Sequence, residues 1–182
     1  GTADGEKGGA DAPLQICGPD GHVQRVLEDA LRFLQVDDYP QLSFSVKSCG
    51  LSDGDDIELC GLRVRAIAAK HNVPGLHYHI EDSRGAAVTI SGDTSYNIEL
   101  AEFARGSDLL IHEASVGAGS TQTEQEPAHS GAIDAAMIAE SAQVHRLALV
   151  HLDTTRSAEA IGAARKIFEQ TFVPEEGSSI AL

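Results

Sequence analysis

Leu147-Ala148-Leu149-Val150-His151 is an unbroken aliphatic run that ends on a histidine, and Asp108-Leu109-Leu110-Ile111-His112-Glu113-Ala114 has the same character upstream. Neither run alternates apolar with polar. That is the pattern of a strand covered on both faces, as in a parallel sheet. Between them, Gly131 to Ser141 is an Ala-rich segment that predicts a helix. Upstream, Ser91-Gly92-Asp93-Thr94 closes another strand and Ile98 to Arg105 reads as helical. Downstream, Ala158 to Thr171 predicts one more helix. This alternation implies an α/β chain with a mixed sheet covered by helices.

Toward the N-terminus the rhythm is different. Leu76 to Glu81 and Ala86 to Ser91 read as a hairpin turning through Asp82-Ser83-Arg84-Gly85. Ile57 to Leu59 and Leu62 to Ala69 read as paired strands around Gly61, preceded by a polar turn at residues 52–56. Leu42 to Cys49 alternates as a half-buried strand does. His22 to Gln35 carries Val23, Val26, Leu27, Ala30, Leu31 and Leu34 at helical spacing, with Asp20 as a candidate cap. Pro13 to Cys17 predicts a short strand ending in a Gly-Pro-Asp-Gly turn. Residues 1–12 hold no large apolar side chain and read as a flexible tail or linker. Ser115 to Ala128 is a long polar loop. The domain proper is expected over residues 13–182.

Composition narrows the function classes. With 42% hydrophobic residues, no tryptophan and only 4% aromatics, the core must be built from Leu, Ile, Val and Ala. The net charge of −15 repels nucleic-acid backbones and anionic membranes, although bound metal ions would restore local positive charge. Cys17, Cys49 and Cys60 are odd in number and widely spaced, which predicts reduced, partly buried thiols in a cytoplasmic protein. No apolar run approaches the roughly 20 residues of a membrane span, and residues 1–9 have no signal-peptide core.

The chemistry-bearing residues gather at predicted strand ends: Lys70-His71-Asn72, Ser91-Gly92-Asp93-Thr94, His112-Glu113 and His151-Leu152-Asp153. A fifth cluster, His129-Ser130, stands just before a helix. Sites in layered α/β proteins form where strands end. Imidazole and carboxylate donors suit zinc, manganese or iron(II). Each residue also has a plain structural explanation. His71 could be a loop histidine, Asp93 a helix cap, His151 a core edge and His129 an ordinary residue before a helix. His22 and His145 read as surface residues. Arg156 could line the pocket or cover a helix end, and Asp153 could line the pocket too.

Taken in order, these elements resemble the ribonuclease Z-like branch of the metallo-β-lactamase superfamily, from Leu14 to Leu182. The resemblance rests on Ile16-Cys17-Gly18-Pro19, His71, the Gly92-Asp93-Thr94 and His112-Glu113-Ala114 motifs, His129-Ser130 with Ala135-Ala136, Leu147 to His151, and the Pro174 to Leu182 tail. It implies an αββα sandwich, of which the chain would be the C-terminal half or more. It implies two divalent ions, zinc foremost, with His71 on one, His151 on the other and Asp93 bridging. It also pairs Glu113 with His129, which would protonate the leaving oxygen, while His112 and Thr94 would support the site from behind. The reaction expected is attack of metal-activated water on a phosphodiester or a related small anionic ester.

Two departures from the family pattern matter. The His-x-His-x-Asp-His signature, which supplies the remaining ligands, does not occur in this sequence. His77-Tyr78-His79 does not replace it and reads as a strand with exposed histidines. The chain is therefore expected to be incomplete on its N-terminal side. Further, tRNA-processing members carry a long RNA-binding arm between the counterparts of His71 and Asp93, whereas 22 positions separate them here. With the acidic charge, this disfavours tRNA 3′-end processing without excluding nucleic acid. A different class of function stays open: a non-catalytic remnant that covers its open sheet face with a partner chain, or with a second copy as a homodimer.

Overall fold

The computed structural model describes residues 14–35, 46–122 and 128–182. The expectations for residues 1–12, for Pro13, for the first part of the Leu42–Cys49 strand and for residues 123–127 of the polar loop lie outside them. The chain divides into two compact units, Gly1–Leu51 and Ser52–Leu182.

In the first unit, β1 (Leu14–Pro19) and β2 (Val46–Leu51) pair in parallel, and α1 (Val23–Phe33) lies between them in sequence. Asp20 does not cap α1, contrary to expectation. Its carboxylate accepts the N–H of neighbouring Gly21 at 2.9 Å and lies against Gly50, where the missing Cβ leaves room. The helix begins after His22 without a side-chain cap. Cys17 and Cys49 are half-buried register partners, while Cys60, expected to be partly buried, is exposed.

The second unit is a seven-stranded sheet ordered β3 (Asp56–Leu59), β4 (Leu62–Ala68), β5 (Leu76–Glu81), β6 (Ala87–Ile90), β7 (Leu109–Glu113), β8 (Arg146–Val150), β9 (Thr171–Phe172). The first four pair antiparallel, as their short turns require; β6 to β9 are parallel. The β3–β4 turn places both Cys60 and Gly61 at positive φ, which a two-residue hairpin demands. Among the described residues the unit also holds α2 (Glu99–Phe103), α3 (Ala132–Ala142) and α4 (Ser157–Ala164).

The core is aliphatic, as composition dictated. Leu110, Leu147 and Leu149 of the parallel strands pack with Leu100, Ile138 and the alanines of α3 and α4, all buried. Small side chains on α3 let its backbone approach the sheet closely. The predicted 158–171 helix is too long. It stops at Ala164, and Thr171–Phe172 instead form β9, held by Arg165 Nε donating to the Thr171 carbonyl at 2.8 Å. No described helix is long and apolar enough to cross a membrane.

Candidate metal centre

Strand direction alone brings the candidate residues together. Because β6, β7 and β8 are parallel, their C-terminal ends share one sheet edge. Those ends deliver Asp93, Glu113 and His151. β5 runs antiparallel to β6, so its beginning lies at that same edge and brings the His71–Gly75 loop with it. The loop is pinned there: Lys70 N–H donates to Thr94 Oγ1 at 3.1 Å, and Ser95 N–H donates to the Lys70 carbonyl at 2.8 Å. His71, Val73, Gly75, Leu76, Gly92 and Asp93 line an open cleft. The chain leaves β6 and β8 sharply, with Gly92 and His151 both in the left-handed region at φ 57°. For a histidine this is a strained backbone, of the sort found where function fixes a side chain's direction.

The side chains converge. His129 stands between the other two imidazoles, its ring centroid 4.9 Å from that of His71 and 5.4 Å from that of His151, edge to face in both cases. Ligand atoms of His71, Asp93 and His129 lie within 4.8 Å of one another, and so do those of Glu113, His129 and His151. His129 Nδ1 donates to Glu113 Oε1 at 3.0 Å, and His151 Nδ1 donates to Asp93 Oδ1 at 3.1 Å. Since a carboxylate only accepts, both rings keep Nδ1–H, which in the neutral imidazole leaves the lone pair on Nε2. That is the tautomer a metal-bound histidine needs, with a carboxylate behind it. His71 is set differently: its Nδ1 accepts the Val73 N–H at 3.2 Å, a bond that must break if Nε2 is to bind a cation as neutral imidazole.

Glu113 is fully buried and accepts from every side. Thr94 N–H donates at 2.6 Å, His129 Nδ1 at 3.0 Å, Ser115 Oγ at 2.8 Å and Ser115 N–H at 3.3 Å. Thr94 thus joins the His71 loop to Glu113. Ser130 Oγ donates to the Thr94 carbonyl at 2.7 Å and ties the residue after His129 into the same web. His112 is buried; its Nδ1 donates to the backbone carbonyl of Glu113 at 2.7 Å, and its Nε2 finds no partner among the described residues. Burial pushes its pKa down.

His77 and His79 are not exposed, contrary to expectation, nor do they join this cluster. Both are buried on one face of β5. His77 Nδ1 donates to the Ser91 carbonyl at 2.6 Å and His79 Nδ1 bonds Thr89 Oγ1 at 2.9 Å. His145 is exposed and paired with Asp108, whereas His22, expected at the surface, is half-buried. Asp153 caps the 3-10 turn Thr154–Arg156 through the Thr155 N–H. Arg156 donates to the Val116 carbonyl at 2.9 Å and lies on Gly117, where a Cβ would collide with it.

The loop bearing His129 is closed by contacts that only glycine permits. Ala132 N–H donates to the Gly117 carbonyl at 2.7 Å and Ile133 N–H to that of Gly119 at 3.2 Å, so the loop satisfies the first turn of α3. A Cβ on Gly131 would fall onto the Gly119 carbonyl. Gly131→Ala is therefore expected to destabilise the protein by about 1–3 kcal/mol, as overpacking does; denaturant unfolding would measure it.

No protein-family model matches the chain. Ribonuclease Z of Archaeoglobus fulgidus is 26% identical over 219 residues, covering 92% of this chain and 70% of that protein. Ribonuclease Z of Methanothermobacter thermautotrophicus is 41% identical over 95 residues, 51% of this chain and 31% of that protein. Among solved structures, the metallo-β-lactamase fold protein YhfI of Bacillus subtilis superposes with a TM-score of 0.68 at 19% identity, over 91% of this chain and 64% of that one. The short form of human tRNase Z gives 0.69 at 19%, over 93% and 68%. A diphosphatase of the PhnP family gives 0.65 at 17%, over 97% and 60%. The chain thus spans about two thirds or less of most of these proteins. It has the metallo-β-lactamase fold, and its sequence is similar to that of ribonuclease Z.

Proposed function

We propose that this chain, which has the metallo-β-lactamase fold, belongs to a metal-dependent hydrolase that cleaves a phosphodiester or a related small anionic ester. One observation carries the reading: His71, Asp93, Glu113, His129 and His151 come from separate segments and converge at one sheet edge. Structural histidines have no reason to stack three deep beside two carboxylates.

In this reading His71, Asp93 and His151 would hold the metal. The donor set favours zinc, then manganese or iron(II). Such ions, when bound, would supply Lewis acidity toward the substrate's oxygens. Three ligands serve two ions poorly, so the proposal concerns the whole protein, with further donors from outside these 182 residues. His129 carries the proton for the leaving oxygen at Nε2. Glu113 accepts from Nδ1–H and fixes the ring, so that Nε2 faces the substrate. His112 and Thr94 keep Glu113 in place, the first through its backbone carbonyl and the second through its own N–H.

The test is hydrolysis of bis(p-nitrophenyl) phosphate by the whole protein. Stripping with a chelator should abolish turnover, and Zn²⁺ or Mn²⁺ should restore it. Undiminished turnover after stripping, or in an Asp93→Ala variant, overturns the reading.

A second reading, RNA 3′-end processing, draws support from the curated relatives named ribonuclease Z. Against it stand the net charge of −15 and the single hairpin between His71 and Asp93. A precursor tRNA cleaved at its 3′ end far more efficiently than the small diester would favour this second reading.

A further inference from the structure

We propose that Asp134 is a positioning residue for His129, which deepens the reading above because it rests on His129 being the proton carrier. Asp134 is the third residue of α3 and fully buried. Capping the helix needs only its bond from the Gly131 N–H, at 3.0 Å. The same carboxylate also accepts from Thr121 N–H at 2.8 Å, Thr121 Oγ1 at 3.0 Å and Ser120 Oγ at 2.5 Å. These partners are 13 and 14 residues away in sequence, at the far end of the loop.

Burying a carboxylate without a cation is costly unless donors surround it. Here every neighbour donates, so an acceptor-only group is required; asparagine would turn its amide toward one of them. The gain reaches His129 through Thr121. The Thr121 hydroxyl lies 3.0 Å from Asp134 Oδ2 and 3.1 Å from the His129 carbonyl oxygen. Both are acceptors, so its one proton is shared between them. His129 is thereby held at its own carbonyl by Thr121, at the next residue by Ser130, and at its ring by Glu113. Asp134 also holds the Thr121 backbone through its N–H, so removing the carboxylate frees Thr121 to move and the first of these holds loses its anchor.

The experiment is a double-mutant cycle in the whole protein. Asp134→Ala should lower turnover about tenfold or more, the scale of a misplaced catalytic group, and cost nothing further in a His129→Ala background. Thr121→Val breaks the link but leaves the Gly131 cap intact. It should show a smaller loss that likewise vanishes without His129, and it decides the matter if Asp134→Ala does not fold. In ¹⁵N spectra of the metal-free protein, the His129 ring should move from a single Nδ1–H tautomer to a mixture in both variants. Equal losses with and without His129, or ring signals that stay put while the melting temperature falls, would reduce Asp134 to a helix cap. If the wild type shows no metal-dependent turnover, the proposed hydrolase fails, while the ring spectra still decide the role of Asp134.

Discussion

Glu113→Ala is expected to lower turnover by about 10²–10⁴-fold, the usual worth of a positioned acid–base group, and to destabilise the protein as well. Both effects have one source. Glu113 is the acceptor at which the Thr94 N–H, the His129 ring and Ser115 all end. Truncation leaves the Thr94 N–H buried without a partner, at about 1–3 kcal/mol for each such group. It also frees the His129 ring to turn. Glu113→Gln separates the two. Its carbonyl can keep Thr94 and His129, and the Ser115 hydroxyl can rotate to accept from its amide; only the longer bond from the Ser115 N–H is lost, so the cost should be smaller than for Glu113→Ala, about 1 kcal/mol. Turnover should still fall, because an amide oxygen is a weaker acceptor for Nδ1–H than a carboxylate and holds the His129 ring less firmly. Denaturant unfolding and steady-state kinetics on both variants check this. A Glu113→Gln variant with wild-type turnover would remove the glutamate from the mechanism.

The strands that build this site were legible because burial writes itself into sequence. A parallel strand covered on both faces must be aliphatic throughout, so Leu109–Ile111 and Leu147–Val150 stand out, and the polar residues just beyond them mark the sheet edge. Asp93, Glu113 and His151 were found by that rule. The pairing of Glu113 with His129 was not; it came from resemblance, since no spacing links residues on a strand end and a distant loop. Asp134 does not stand out in the sequence, because an acid early in a helix is ordinary. The signal that could have found it was the Ser120-Thr121 pair upstream of a helix with an acid at its third position. His77 and His79 misled because alternation with Tyr78 mimics a solvated face, while the hydroxyls and amide that satisfy them lie on other segments. The overlong C-terminal helix has a similar cause. Its apolar spacing continues through Ile167 and Phe168, but the chain turns after Ala164, where Ile167 and Phe168 N–H groups both bond to its carbonyl.

His77 gives the protein a stability that acid removes well before the carboxylates titrate. The ring is fully buried. Its Nδ1–H donates to the Ser91 carbonyl at 2.6 Å and its Nε2 accepts from the Asn97 amide at 3.2 Å, so the neutral form has both nitrogens satisfied. A second proton would set two donors against each other in a dry interior. Burial pushes the pKa from 6.5 down to about 4. In the unfolded chain the ring titrates near its ordinary value, so between pH 6.5 and 4 the unfolded state binds a proton that the folded state refuses. Stability therefore rises with pH across this window. It is whole above about pH 6.5 and falls as pH drops toward 4, by about 3 kcal/mol for a shift of this size. His79 and His112 are shifted in the same direction by burial and add to the slope. Asp108, held low by the Ala87 N–H it accepts, has the same sign but acts only as pH falls below the ordinary aspartate range. Urea unfolding from pH 7.5 to 4 would expose the effect, with His77→Gln as the comparison because it keeps a donor and an acceptor without the titration. The variant starts less stable, loses less on acidification, and the two curves converge toward pH 4. Parallel curves would mean that the acid sensitivity lies elsewhere.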